Sequence, residues 1–433
     1  MMDAHIKGRR ALRGTLHVPG DKSISHRAVM LGCLASGRSS IEGLSSAQDV
    51  GSTIRAFQRM GITIETDAGV TEIHGTGIEG FCDGVPVNLP EIDCENSGTT
   101  ARLLIGLLSG AGKKARLTGD ASLLRRPMLR VVDPLNEHGA SIETTEGRLP
   151  VTLTGGRLLP IHYRVPVPSA QVKSSLMLAA LFTGGRSEIV ETLLTRDHTE
   201  RMIQHMGGPL TVENTQNGNE IQITGRGELS PLNLAVPGDI SSAVFFIAAA
   251  LVTPGSSVTI QNVLLNPTRA HILDVFRRMG AQIETHVLEE SPEAVGDVHV
   301  RYSKLTGVRV VGSEIPLIID EIPALAACAL FAQGETVVRD AGELRIKESD
   351  RISSIVHMVA AFGGGIEDAQ DGFTVHGRSG CKPAEVDSFG DHRIAMAASI
   401  IALAAEGESI IRNAGCVDIS FPDYFQVLER FSG

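Results

Sequence analysis

The sequence predicts an α/β protein of two domains, each made of three copies of one unit with apolar helices inside and sheets outside. Three observations carry this reading. The chain has 433 residues, more than one hydrophobic core usually organises. Six Ala- and Leu-rich segments are apolar nearly all round, the mark of interior helices. They also recur at a near-constant period.

The period is read from a glycine near the end of each apolar segment, expected to act as its C-cap: Gly37, Gly110, Gly184, Gly255, Gly334 and Gly407. The intervals are 73, 74, 71, 79 and 73 residues, which is one supersecondary unit used six times. A short β-like stretch follows each glycine, as at residues 40–44, 115–118 and 187–191. A more amphipathic helix usually comes next, closing on Gly61, Gly139, Gly207, Gly280 or Gly363 before alternating strands. The unit is thus two helices and about four strands. The sixth runs out before its closing strands, and residues 6–18, strand-like with no preceding helix, are expected to complete it. This puts both termini in one domain, 1–19 plus 239–433, with 20–238 inserted. Crossovers near Gly20 and Gly238, each in a Pro-Gly-Asp turn, form the expected hinge.

The balance of 39 Lys plus Arg against 50 Asp plus Glu, a net charge of -11, opposes general affinity for nucleic acid or anionic membrane. With no Trp and three Tyr there is no stacking platform for bases. The six cysteines have neither zinc-ligand nor disulfide spacing, and no apolar run is long enough to span a bilayer. His26, His198 and His392 sit in polar motifs without the context of a metal site. The expectation is a cytoplasmic monomer with no metal, no cofactor, and no nucleic-acid or membrane partner.

Two nucleotide-like signatures fail on context. Gly75-Thr-Gly77-Ile-Glu-Gly80 matches G-x-G-x-x-G, but Pro86 and Pro90 follow, and a loop is expected rather than a helix to seat a pyrophosphate. Gly20-Asp21-Lys22-Ser23 lacks the glycine spacing of a P-loop. More informative are the starts of the six interior helices: DKSISHR, ENSGTTAR, PSAQVKSS, PGDISSA, IDEIPA and GDHRIA. Helix N-termini favour anions, though Ser, Asn and Asp cap helices in any case. Cations beside these caps, namely Lys22, Arg27, Arg102, Lys173 and Arg393, tip the reading to an anionic small-molecule site in an otherwise acidic protein. Two more cationic stretches precede second helices. One is RRPM, with Arg125 and Arg126; in the other, RIKESDRI, Lys347, Glu348, Asp350 and Arg351 open a helix with Lys347 and Arg351 on one face. By itself that stretch reads equally as a solvated helix start.

Taken together, GDKSISHR, NSGTTAR, RRPM, SAQVKSS, TRDHTE, IDEIPA, KESDR, GDHRIAM and the final FPDYF resemble the 3-phosphoshikimate 1-carboxyvinyltransferase family, its second branch above all. The resemblance implies the two-domain enolpyruvyl transferase fold, each domain three βαβαββ repeats with interior helices, an inside-out α/β barrel. It implies transfer of the enolpyruvyl group of phosphoenolpyruvate to the 5-hydroxyl of shikimate 3-phosphate.

Position by position, the resemblance sets Lys22 by phosphoenolpyruvate and Ser23 and Arg27 by the shikimate portion. It sets Ser169, Ala170, Gln171 and Arg196 at shikimate 3-phosphate. Gly98, Arg126, Arg351 and Arg393 match positions that hold phosphoenolpyruvate, with Lys347 among the binding residues. Two highly charged anions side by side need such guanidinium forks. Asp320 matches the proton acceptor. Glu348 and Lys22 match the groups that protonate and deprotonate the methylene carbon. Two positions depart: Ile419 stands where much of the family has a lysine, and Ala170 replaces a first-branch serine. The sister transferase of cell-wall synthesis usually has a cysteine in the loop that reads GDASLLRRPM here; this loop has none.

Overall fold

The structure is a computed structural model and describes residues 2–8, 10–216, 218–378 and 380–432. The chain divides into two compact units: Gly20–Val236, and the segments up to Pro19 and from Pro237 onward.

In the Gly20–Val236 unit, three four-stranded sheets share one order. In the first, Asn233–Ala235 lies parallel to Ser36–Glu42, which pairs antiparallel with Val70–Thr76, and that strand with Ile64–Asp67. Ile92–Asp93, Ala115–Thr118, Arg148–Gly156 and Ala140–Thr145 repeat it, as do His162–Val165, Arg186–Glu191, Gly218–Thr224 and Leu210–Thr215. A parallel pair needs a crossover, supplied in the second and third sheets by the interior helices Gly98–Gly110 and Ala170–Ala180; Lys22–Leu34 is the interior helix of the first repeat. Gly106 shows how closely these helices approach. A Cβ there would lie 2.1 Å from the Ser175 carbonyl oxygen, so only glycine fits.

The other unit has two sheets of the same order, Arg13–Leu16 with Ser257–Leu264, Val295–Arg301 and Gln282–Glu289, and Arg309–Val310 with Glu335–Val338, Gly372–His376 and Gly365–Ala369. Its third sheet has three strands, Ala4–Lys7, Glu408–Arg412 and Glu385–Asp387. Interior helices Ile240–Val252, Ile322–Ala329 and His392–Ala404 pack on one another. Every residue of the first two is buried. The fold is thus the predicted α/β class with helices as the inner layer. All six sheets are open, and none closes into a barrel among the described residues. No described helix is long and apolar enough to cross a membrane.

Three details correct the sequence reading. Residues 6–18 do not all complete the sixth repeat. Ala4–Lys7 does, pairing with Glu408–Arg412, but Arg13–Leu16 pairs parallel with Ser257–Leu264 of the fourth repeat. The first-strand role there was vacant, since the segment before Ile240–Val252 is spent on the first repeat of the other unit. Next, five of the six period-marking glycines lie beyond their helices. The C-caps are Ala35, Ala111, Leu181, Thr253, Leu330 and Ala405, mostly extended or turning directly towards the next strand. The second-helix glycines do terminate helices: Gly61, Gly139, Gly207, Gly280 and Gly363 have φ of 90, 97, 72, 90 and 84°, a left-handed stop that favours glycine. Finally, the G-x-G-x-x-G stretch does open a helix, Gly77–Gly84, after strand Val70–Thr76. Its glycine serves packing: a Cβ on Gly75 would meet the Ala35 and Gly32 carbonyl oxygens at 2.3 Å.

Candidate active site

In the Gly20–Val236 unit, the predicted residues gather at the starts of the three interior helices. Asp21 caps Lys22–Leu34 by accepting from the Ile24 N–H at 2.9 Å. Of the first turn, Lys22 and Ser23 stay partly exposed while Ile24 and Ser25 are buried, and Lys22 Nζ lies 3.6 Å from Asp49 Oδ2, both side chains about one-fifth exposed. One turn on, Arg27 is buried and donates from Nε to Thr199 Oγ1 and from Nη2 to Ser174 Oγ, both at 2.7 Å, and from Nη1 to the Ser23 carbonyl at 2.9 Å. Arg196 Nη1 donates to Ser23 Oγ at 3.3 Å. Ser23, Arg27 and Arg196 are therefore brought together from the first and third repeats.

Gly98 is the first residue of the second interior helix, capped by Ser97 Oγ, which accepts from Thr100 N–H at 3.1 Å. A Cβ on Gly98 would stand 3.0 Å from Arg102 Nη1 and 3.3 Å from Arg126 Nη1, so two guanidinium groups crowd this helix start. Arg126 donates to Asn96 Oδ1 at 3.1 Å, and Asn96 is fixed in turn by Asp120. Ser169 is the N-cap of the third interior helix, and Ala170 its first residue. Gln171 links the second and third repeats: its Nε2 donates to Thr99 Oγ1 at 3.0 Å, and its Oε1 accepts from Arg102 Nη1 at 2.7 Å.

Lys173, one of the cations that pointed to an anion site, does something else. It is buried, with Nζ 2.9 Å from Glu191 Oε1 and 2.7 Å from Glu200 Oε1. It is neutralised inside the unit, and the start of its helix owes no positive charge to it. His26 is likewise internal, sharing a 2.7 Å hydrogen bond with Thr53 Oγ1; burial pushes its imidazole down to about 4 and keeps it neutral.

In the other unit, the predicted residues converge on Asp320, in the turn before helix Ile322–Ala329. Asp320 Oδ1 lies 3.3 Å from Arg351 Nη1 and 3.8 Å from Lys347 Nζ, and Oδ2 lies 3.8 Å from Arg393 Nη2. Arg393 Nη1 also donates to the Asp320 carbonyl at 2.9 Å. Arg351 is the centre of the cluster: Nη2 lies 2.5 Å from Glu348 Oε2, and Nε 2.8 Å from Asp391 Oδ2. Burial opposes its charge, but the carboxylates of Asp391, Glu348 and Asp320 more than offset this and hold the guanidinium firmly protonated. Asp391 itself is buried; desolvation would raise its carboxyl, yet Arg351 keeps it below the usual range.

The expected shared helical face of Lys347 and Arg351 is not how they meet. Helix Arg351–Ala361 begins at Arg351, with Asp350 as N-cap, and Lys347 precedes it in extended backbone. Arg345 holds that bend, donating to Asp350 Oδ2 at 2.8 Å and Asp368 Oδ1 at 3.0 Å. Two partners had no separate signal in the sequence: Asp391 is the N-cap within GDHRIA, and Asp49 is an acid in the first turn of helix Gln48–Arg59. Only their pairing with Arg351 and Lys22 gives them a place in the site. Ile419 ends the short helix Ala414–Ile419 and is half-buried.

The family model described as EPSP synthase (3-phosphoshikimate 1-carboxyvinyltransferase) matches residues 6–428. The 3-phosphoshikimate 1-carboxyvinyltransferase of Pelotomaculum thermopropionicum is 46% identical over 433 residues, covering 99% of both chains. That of Desulforamulus reducens is 43% identical with the same coverage. The solved EPSP synthase of Acinetobacter baumannii is 37% identical with a TM-score of 0.87, covering 99% of this chain and 97% of that one. The enolpyruvyl transferase NikO of Streptomyces tendae shares the fold, with a TM-score of 0.76 at 17% identity over 99% of this chain and 96% of its own.

Proposed function

The chain belongs to the EPSP synthase family, the 3-phosphoshikimate 1-carboxyvinyltransferases, and from that premise we propose which of its residues carry the transfer. The enzyme moves the enolpyruvyl group of phosphoenolpyruvate to the 5-hydroxyl of shikimate 3-phosphate and releases phosphate, a step of aromatic biosynthesis. The hydroxyl oxygen adds to the central carbon of phosphoenolpyruvate while its methylene takes up a proton. Phosphate then leaves as a proton is lost from the new methyl group.

Asp320 takes the hydroxyl proton. Glu348 and Lys22 deliver and remove the proton at the methylene carbon, as groups held by Arg351 and Asp49 respectively. Gly98, Arg126, Arg351 and Arg393 hold phosphoenolpyruvate, with Lys347 adding charge. Ser23, Ser169, Ala170, Gln171 and Arg196 bind shikimate 3-phosphate, and Arg27 holds Ser23 and Thr199 in register for it. The observation that carries the proposal is the Asp320 cluster: one carboxylate within 4 Å of Lys347, Arg351 and Arg393, a general base set among cationic donors that can hold an anionic substrate. We propose that the chain acts as a monomer. Phosphate release from phosphoenolpyruvate, assayed with shikimate 3-phosphate or UDP-N-acetylglucosamine as co-substrate, tests the substrate assignment; turnover only with the UDP-sugar would overturn it.

Gly98 should set how much room phosphoenolpyruvate has. An added methyl must displace the ends of Arg102 and Arg126 by a few tenths of an ångström, and overpacking typically costs about 1–3 kcal/mol. Glyphosate competes for this space and is the longer ligand. In Gly98→Ala, its inhibition constant is expected to rise roughly five- to 150-fold, and the phosphoenolpyruvate KM by less. Equal changes in the two constants would show that the residue does not discriminate by length.

A further inference from the structure

Beside the Asp320 cluster lies a second set of charges that the reaction scheme does not use. Glu321, next in sequence to Asp320, is fully buried. Its Oε1 accepts a short hydrogen bond from Ser241 Oγ and lies 3.5 Å from Arg269 Nη1. Arg269, also buried, donates from Nη2 to the same Ser241 hydroxyl at 2.8 Å and lies 3.2 Å from Asp239 Oδ1. Three elements meet here: the start of helix Ile240–Val252, the first turn of helix Pro267–Arg278, and the turn carrying Asp320.

The arrangement costs more than packing alone requires. Glu321 Oε2 is buried without a hydrogen-bond partner, a position that an apolar side chain would fill at less expense. Glu321 Oε1 also lies 4.0 Å from Arg393 Nη1, the same nitrogen that donates to the Asp320 carbonyl. Arg393 thus faces oxygens of two consecutive residues, one of which is anchored from below. The turn between Ile315–Ile318 and Ile322–Ala329 has only three residues to hold Asp320. Glu321 takes no side-chain part in capping the helix it precedes, so its carboxylate is spent on the anchor.

We infer that Glu321, clamped by Arg269 and Ser241, is a positioning residue that sets the place of Asp320 and Arg393 for the transfer. Fully buried, it has no surface to offer a substrate. The inference rests on the assignment of Asp320 and Arg393 above. Because a misplacement of about 1 Å can cost roughly hundredfold in rate, a group that fixes both residues has leverage on turnover.

The test uses Glu321→Gln, which keeps shape and an acceptor for Ser241 while removing the charge, alongside Arg269→Met, Arg269→Lys and Asp320→Asn in the full chain. Glu321→Gln is expected to lower kcat about ten- to hundredfold and to raise the phosphoenolpyruvate KM. The shikimate 3-phosphate KM should stay within about twofold, a split that general loosening would not produce. Arg269→Lys should recover most of the kcat that Arg269→Met loses. If Glu321→Gln fails to fold, the double variant Glu321→Gln/Arg269→Met removes the Glu321–Arg269 pair, leaves Asp239 the Ser241 N–H as a donor, and serves in its place, with the same expected kcat loss. Wild-type kcat in a folded Glu321→Gln or in the double variant would overturn the inference, as would equal losses in Arg269→Lys and Arg269→Met. If Asp320→Asn is fully active, the assignment of Asp320 fails and the inference with it. If Asp320→Asn is inactive and Glu321→Gln is not, the inference alone fails.

Discussion

Asp320→Asn is expected to keep the fold and both substrates but to lose about 10²- to 10⁴-fold in kcat, the usual worth of a positioned general base. The amide has nearly the same shape but cannot take the hydroxyl proton. The fold should survive because Asp320 is partly exposed and because Arg351 keeps Asp391 and Glu348 as partners when Asp320 loses its charge. Phosphoenolpyruvate binding should be unchanged or tighter, since a negative charge has been removed from among Lys347, Arg351 and Arg393. Steady-state kinetics with both substrates, together with a thermal melt, read all three quantities. A folded variant with near-wild-type kcat would remove Asp320 from the mechanism. A large rise in phosphoenolpyruvate KM at normal kcat would make it a binding group instead.

The part of this site legible in sequence is the part written as helix starts. A period near 73 residues places six caps, and caps need small polar residues that stand out against apolar helices, as in NSGTTAR and GDHRIA. Sequence is mute about which charges are spent internally. Lys173 and Lys22 look alike as cations beside a cap, yet Lys173 lies buried between Glu191 and Glu200 while Lys22 stays partly exposed beside Asp49. The difference lies in acids from other elements that arrive through tertiary folding. The same blindness explains the strands at the amino end. Ala4–Lys7 and Arg13–Leu16 are similar short extended runs, and only sheet pairing sends one to the sixth repeat and the other to the fourth. The period survived misplaced C-caps because the glycines mark the turn into each next strand, which repeats as faithfully as the helix ends do.

Lys173→Met should be the most destabilising single change of those considered, by about 3–5 kcal/mol near pH 7, although methionine matches the volume of the lysine stem. In the native protein one buried ammonium serves two carboxylates. Burial works against the Lys173 charge, but Glu200 and Glu191 outweigh it and keep the amine protonated. Burial also lifts the Glu200 carboxyl above its ordinary value, with Lys173 pulling the other way. Removing the lysine leaves two buried carboxylates without the cation they shared. Thr195 and Asn219 still donate to Glu191, whereas Glu200 Oε2 has no hydrogen-bond partner, so Glu200 is the group that must take up a proton. The sign of the pH effect follows. A carboxyl whose folded pKa lies above its unfolded value of 4.5 contributes stability that is present below that value and lost as pH rises through the folded pKa. In Lys173→Met the folded value rises further, because the cation that lowered it has gone. The deficit against wild type should therefore shrink as pH falls from 7 towards 5. Glu200→Gln added to Lys173→Met should recover much of the loss at pH 7, because only one buried carboxylate then remains. Denaturant unfolding of wild type and both variants at pH 7 and pH 5.5 measures this directly. A deficit below about 1 kcal/mol at pH 7, or one that grows on acidification, would show that the two glutamates do not depend on Lys173.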